Sequence, residues 1–274
     1  MFHHRLGCST ISFRHQPLGE ALRTISSLGF AEIDLGALPG VCDHVPYVLD
    51  RAAVAAVAIT VARSGLAVRS INGDIGDLNV ELDAQGRRAR GEHLAMLLEL
   101  AEAIGAQALV LPCGAIDHTP IQSLDADLDR IANELSTAAE RANERGIQLW
   151  AETLHLHRLC CNIERATALS ERLTASRVGV VMDFSHIVAS GADPVAFVER
   201  FANRIEHVHL RDAVPGNINL SIGKGDADFA AGIDALTRHG YRGHFSLELE
   251  TRDVTHEGRP AATREAGQLV SALI

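Results

Sequence analysis

An α/β protein built as one (β/α)8 (TIM) barrel over residues 1–274 is the fold this sequence predicts, and three observations predict it. Eight short apolar or β-branched runs recur, each followed by a helical pattern. Glycines stand where those helices should end, among them Gly29, Gly65, Gly105, Gly146 and Gly240. Dividing 274 residues among eight units gives about 34 residues each, a normal barrel repeat.

The predicted strands are 5–8, 32–35, 67–71, 108–111, 148–152, 178–183, 206–210 and 245–249. Helical segments rich in Ala, Leu, Glu and Arg cover 18–28, 51–64, 91–104, 127–145, 163–173 and 194–202. Strict β-then-α alternation implies parallel strands joined by right-handed crossovers. A doubly wound open sheet shares that grammar and is the alternative, but the regularity of the units favours the barrel.

With 47% hydrophobic and 22% charged residues, the chain has ample material for a large core. A net charge of -10, from 35 acidic against 25 basic residues with no basic cluster, would repel a phosphate backbone, so no nucleic-acid partner is expected. The five cysteines form no CxxC pair, which excludes the usual zinc-finger and redox motifs and fits a reduced compartment. The opening Met1-Phe2-His3-His4-Arg5 lacks a secretory leader pattern, and no apolar run approaches the roughly 18 residues of a membrane span. A cytoplasmic location without membrane contact is expected. Oligomeric state is unwritten, and a homo-oligomer is compatible with all of this.

In such a barrel the C-terminal ends of the strands share one mouth, so metal-binding side chains are sought there. Strands five to eight each end an apolar stretch with a candidate ligand: Glu152, Asp183, His209 and Glu248. Taken singly, each has an ordinary explanation: a solvated loop glutamate, an Asp183 that caps the next helix, or a core histidine at 209. Four in succession point instead to one site. Three carboxylates in one pocket would raise one another's pKa unless a cation neutralised them. The mostly hard donor set suits one divalent ion, Mn2+ first, with Co2+, Mg2+ or Zn2+ as alternatives. Waters or substrate oxygens would complete the shell, making the site catalytic. Glu250 shares the strand face of Glu248 and competes with it as the last ligand.

The segments Ala151-Glu152-Thr153, Met182-Asp183-Phe184-Ser185-His186, His207-Val208-His209-Leu210-Arg211-Asp212 and Leu247-Glu248-Leu249-Glu250 resemble, in order and spacing, the xylose isomerase-like sugar phosphate isomerase/epimerase superfamily. The resemblance also takes in Cys8-Ser9-Thr10-Ile11-Ser12-Phe13 and the Gly223-Lys224-Gly225-Asp226 loop. It implies that Glu152 and Glu248 both bind metal and move the proton, and that His186 binds substrate. The implied reaction removes a proton beside a carbonyl through a metal-stabilised enediolate, with a small-molecule carbohydrate as substrate.

Arg211 would share the face of His209 and contact a substrate hydroxyl or carboxylate, or else pair with Asp212 at the surface. His155 and His157 belong to the mouth, as bases or hydrogen-bond donors, or as solvated loop residues. Asp34, Asn72 and Asp74 are expected on the opposite rim. Epimerases of the superfamily carry a further arginine in this region; here the stretch reads Ala213-Val214-Pro215-Gly216-Asn217. The loop Gly223-Lys224-Gly225 is either an anion contact or an ordinary turn.

The leading expectation is therefore a metal-dependent sugar or sugar-acid isomerase or epimerase. A lyase or dehydratase of the same superfamily, acting on an inosose, dehydroshikimate or 3-keto-glycoside, begins with the same proton abstraction and is the alternative. An endonuclease IV-like repair enzyme would need more histidines at the mouth and a surface tolerant of DNA. A binding module without catalysis would carry no metal.

Overall fold

A computed structural model describes residues 2–274. Seven barrel strands come first: β1 (Leu6–Ser9), β2 (Glu32–Ala37), β3 (Ala67–Gly73), β4 (Ala108–Pro112), β5 (Gln148–Glu152), β6 (Val178–Asp183) and β7 (Ile205–Leu210). An antiparallel hairpin, β8 (Asp212–Val214) and β9 (Asn217–Leu220), then intervenes before the eighth barrel strand, β10 (His244–Leu247). The eight close in the order β1-β10-β7-β6-β5-β4-β3-β2, and every barrel pairing is parallel.

The helices are α1 (Leu18–Leu28), α2 (Arg51–Ser64), α3 (Ala84–Ile104), α4 (Leu124–Asn143), α5 (Ile163–Arg172), α6 (Phe184–Ala189), α7 (Pro194–Phe201), α8 (Phe229–Arg238) and α9 (Arg259–Ser271). Their starts are fixed chemically. Asp50, Asp83, Ser123 and Asn162 each accept a hydrogen bond from the backbone N–H three residues on, which satisfies a donor that has no partner within the helix. Because Asp83 caps it, α3 begins at Ala84, well before the expected 91.

Side-chain alternation along the strands creates two cores. In β4, Leu109 and Leu111 pack outward under the helices while Ala108 and Val110 fill the barrel with Trp150 and Val181. Extended to β6 and β7, that period of two sends Val180, Met182, Val208 and Leu210 outward. Asp183 and His209 are consequently left facing inward, and the strand register sets them side by side.

The last strand is shorter than expected. It ends at Leu247, not 249, because the Leu249 N–H turns to Ser12 Oγ at 2.8 Å instead of a neighbouring strand. The barrel floor is closed by its own charges. Glu32 at the start of β2 takes Arg69 Nη2 at 2.5 Å and His244 Nδ1 at 2.7 Å, and Arg69 also reaches Gln107. Among the described residues, no helix is long and apolar enough to cross a membrane.

Candidate metal centre

Glu152, Asp183, His209 and Glu248 meet at the barrel mouth, all of them buried. Ligand atoms of Glu152, Asp183 and His209 lie within 4.8 Å of one another, and Glu248 Oε2 is 3.4 Å from His209 Nδ1. The glutamate at 250 is elsewhere. It pairs with Arg211 and, at 3.2 Å, with Arg14 on the cavity wall, whereas Glu248 lies beside His209.

Asp183 shows why a capping role and a ligand role need not exclude each other. Its Oδ1 caps α6, accepting from Ser185 N and Ser185 Oγ at 2.7 Å and from His186 N at 3.3 Å. Its Oδ2 has no hydrogen-bond partner. Glu152 Oε1 and both ring nitrogens of His209 are likewise unpartnered among the described residues. Buried polar atoms are normally satisfied, so two carboxylate oxygens and a histidine left without partners at one mouth, with Glu248 beside that histidine, fit a cation.

The electrostatics carry the same message. Burial, then Asp183, then Glu248 hold the Glu152 carboxyl well above the usual range. Burial also opposes ionisation of Glu248, but His209 and Arg211 outweigh it and leave that carboxyl below its ordinary value. Burial resists a charge on His209, yet Glu248 and Asp34 prevail and raise its pKa well above normal.

His186 adds a directed donor. Burial, followed by Arg211, keeps the ring neutral, and its Nδ1 accepts from Leu156 N at 3.1 Å, which leaves the proton on Nε2. That nitrogen is 3.8 Å from Glu152 Oε1 and 3.9 Å from Asp183 Oδ2. His155 packs against it at a tilt, with ring centres 3.8 Å apart, and burial and His186 keep His155 neutral as well. His157 stands more exposed at the rim.

Arg211 is fully buried and already engaged. It donates to Ser185 Oγ at 3.1 Å, pairs with Glu250, and lies 3.7 Å from Asp183 Oδ2. It is neither at the surface nor paired with Asp212. That aspartate instead anchors the glycine loop: Gly223, Lys224 and Gly225 donate their N–H groups to Asp212 Oδ2 at 2.8, 3.1 and 2.9 Å. The anion in the loop is thus the chain's own carboxylate. A Cβ at Gly225 would collide with Asp212 and the Ala213 carbonyl, which explains the residue type.

Above these residues opens a cavity of about 360 Å³. Glu152, His155, His157, His186, Arg211 and Glu248 all border it. The hairpin formed by the stretch around 213–220 contributes Ile218 and Asn219 to the wall, where the superfamily pattern led us to look for an arginine. Arg14, Arg158 and Arg252 also reach the cavity and went unnoticed in the sequence. Arg158 carried the best available signal, being next to His157; it holds Asp74 Oδ2 and the Gly114 carbonyl, both at 2.7 Å. Asn72 does reach the mouth, donating to Glu248 Oε1 at 3.0 Å, whereas Asp34 lies beneath it rather than on the rim.

The chain belongs to the family described as xylose isomerase-like TIM barrels, whose profile matches residues 22–272. The rhizopine catabolism protein MocC of Rhizobium meliloti is 33% identical over 135 residues, 43% of this chain and 41% of that protein. Inosose dehydratase of Lacticaseibacillus casei is 24% identical over 147 residues, 46% of this chain and 48% of the enzyme. The matched part spans less than half the length of either relative. Among solved structures, the 3-keto-D-glucoside 4-epimerase YcjR from E. coli superposes with a TM-score of 0.77 at 19% identity, over 98% of this chain and 99% of that one. The IolI protein with a bound zinc atom gives 0.78 at 17% identity, over 98% and 99%. Identities this low speak for fold alone.

Proposed function

We propose that this chain is a metal-dependent enzyme that moves a proton on the carbon beside a carbonyl in a keto-sugar, sugar acid or cyclic keto-polyol, as an isomerase or epimerase. One observation carries the reading. Glu152 and Glu248 border one cavity from β5 and the end of β10, three places apart round the ring, so two carboxyls approach the same space from different sides. Two carboxyls so arranged are suited to opposite halves of a proton transfer.

Glu152, Asp183, His209 and Glu248 would hold the divalent ion. When bound, such an ion supplies positive charge to the oxygens of the substrate's carbonyl and neighbouring hydroxyl. The chain's own part is to move protons. One carboxylate takes the proton from the carbon, electron density passes to the carbonyl oxygen, and the other carboxyl returns a proton to the opposite face. His186 Nε2–H would donate to a substrate hydroxyl, with His155 packed against that ring. Arg211 buttresses Ser185 and Glu250 at the wall.

The inosose dehydratase relative favours a second reading, in which the same proton loss is followed by departure of a neighbouring hydroxyl. The proton and hydroxide then leave together as water, and a carbon–carbon double bond remains. The test is incubation of chelator-stripped protein, reloaded with Mn2+, Co2+, Mg2+ or Zn2+, with keto-sugars and inososes in D2O. Deuterium uptake without loss of water is the expected result. A product lighter by one water would select elimination, and no exchange with any metal or substrate would overturn both readings.

A further inference from the structure

Beneath the four mouth residues the barrel encloses a second polar layer that the proton chemistry does not use. Asp34 on β2 and His207 on β7 are both fully buried. Asp34 Oδ1 accepts from Ser70 Oγ and Oδ2 from His207 Nε2, each at 2.8 Å. The His207 ring stacks on Trp150 with centres 5.3 Å apart, so its plane is fixed as well. A contact of 2.8 Å is hydrogen-bond geometry; nitrogen and oxygen ligands of a tetrahedral ion would sit about 3.3 Å apart. This trio therefore supports a neighbour and does not form a second ion site.

The neighbour is His209. Its Nε2 lies 3.5 Å from Asp34 Oδ2, below, and its Nδ1 lies 3.4 Å from Glu248 Oε2, above. A neutral imidazole has one N–H, so it can serve one carboxylate as donor and must present a lone pair to the other side. We propose that Asp34, braced by Ser70 and His207, is the positioning residue that keeps the His209 proton on Nε2 and turns the Nδ1 lone pair toward the centre. The inference rests on the metal-binding reading above. A carboxylate behind a ligating histidine fixes both its tautomer and its orientation, and its loss weakens metal binding.

The experiment is calorimetric titration of Mn2+ into chelator-stripped wild type, Asp34→Asn and Ser70→Ala, with thermal unfolding of each. Asp34→Asn should bind Mn2+ about 10–100-fold more weakly. Ser70→Ala, which removes only the hydroxyl on the far oxygen, should show a much smaller loss. A merely structural Asp34 would lower the unfolding temperature with affinity unchanged, and that result would overturn the proposal while leaving the metal centre intact. Wild type that binds no Mn2+ would overturn both. Should Asp34→Asn fail to fold, ring 15N shifts of Zn2+-loaded wild type decide: a proton on Nε2 of His209 is expected, and one on Nδ1 would refute the assignment.

Discussion

The floor and the mouth of this barrel hold the same kinds of residue in opposite states. At the floor, Glu32 is half-buried with Arg69 and His244, and although burial works against its charge, their hydrogen bonds hold its carboxyl below the usual range. At the mouth, Glu152 is buried with Asp183 and Glu248, and its carboxyl is held well above that range. At the floor the cation meets the carboxylate directly; at the mouth Arg211 is engaged by Glu250 and stays 3.7 Å from Asp183 Oδ2. The difference teaches where stability is made and where function is. The floor closes the sheet with internal ion pairs, whereas the mouth keeps unpartnered carboxylate oxygens suited to an added positive charge.

Substitutions can break this contrast. The largest effect is expected from Glu152→Gln, which removes one proton-transfer carboxyl and should lower substrate deuterium exchange by about 10²–10⁴-fold, read by NMR. Loss at the floor should look different. Arg69→Met leaves the half-buried Glu32 carboxylate with His244 alone and should reduce stability by about 1–2 kcal/mol in urea unfolding, with Mn2+ affinity unchanged. Equal damage to metal binding from Arg69→Met would dissolve the distinction between the two ends.

Other effects sharpen it. Metal at about 100 times its Kd should stabilise the folded chain by about 2.7 kcal/mol, and chelator should reverse the gain, as thermal unfolding would show. The smallest effect is the pH dependence of the metal-free chain. Glu32 has a lowered carboxyl, so its contribution is present above the unfolded value of about 4.3 and is lost as pH falls through the folded one. Glu152 runs the other way: its contribution is complete below about 4.3 and is lost as pH rises through its elevated folded value. Unfolding temperatures measured against pH should therefore fall less on the neutral side for Glu152→Gln than for wild type.

Much of this was legible in the sequence, because period-two alternation within strands and helix-capping residues between them are local signals. The segments 18–28 and 51–64 coincide with α1 and α2, and both end at left-handed glycines. The four mouth residues were readable for the same reason, each closing an apolar run on the inward face. What escaped depends on distance in the chain. Asp34 meets His207 across 173 residues, and Arg158 meets Asp74 across 84, pairings that no local pattern announces. The helices α6 and α8 were anticipated only through Asp183 as a cap and Gly240 as an end, without bounds, and α9 was not delimited; α6 is only six residues long and starts from Asp183 itself. The glycine loop misled in its own way, since the carboxylate it surrounds lies 11–13 residues earlier in the same chain.

The most direct test uses Asp183→Asn, which keeps the Oδ1 cap on α6 while removing the charge from the unpartnered oxygen. Thermal unfolding of chelator-stripped wild type and of this variant would be followed against rising Mn2+. A saturable rise in the wild-type unfolding temperature, with one ion bound per chain and little or no rise in the variant, is the predicted result. No rise in wild type, or the same rise in both, would contradict the claim that the mouth is built to hold a cation.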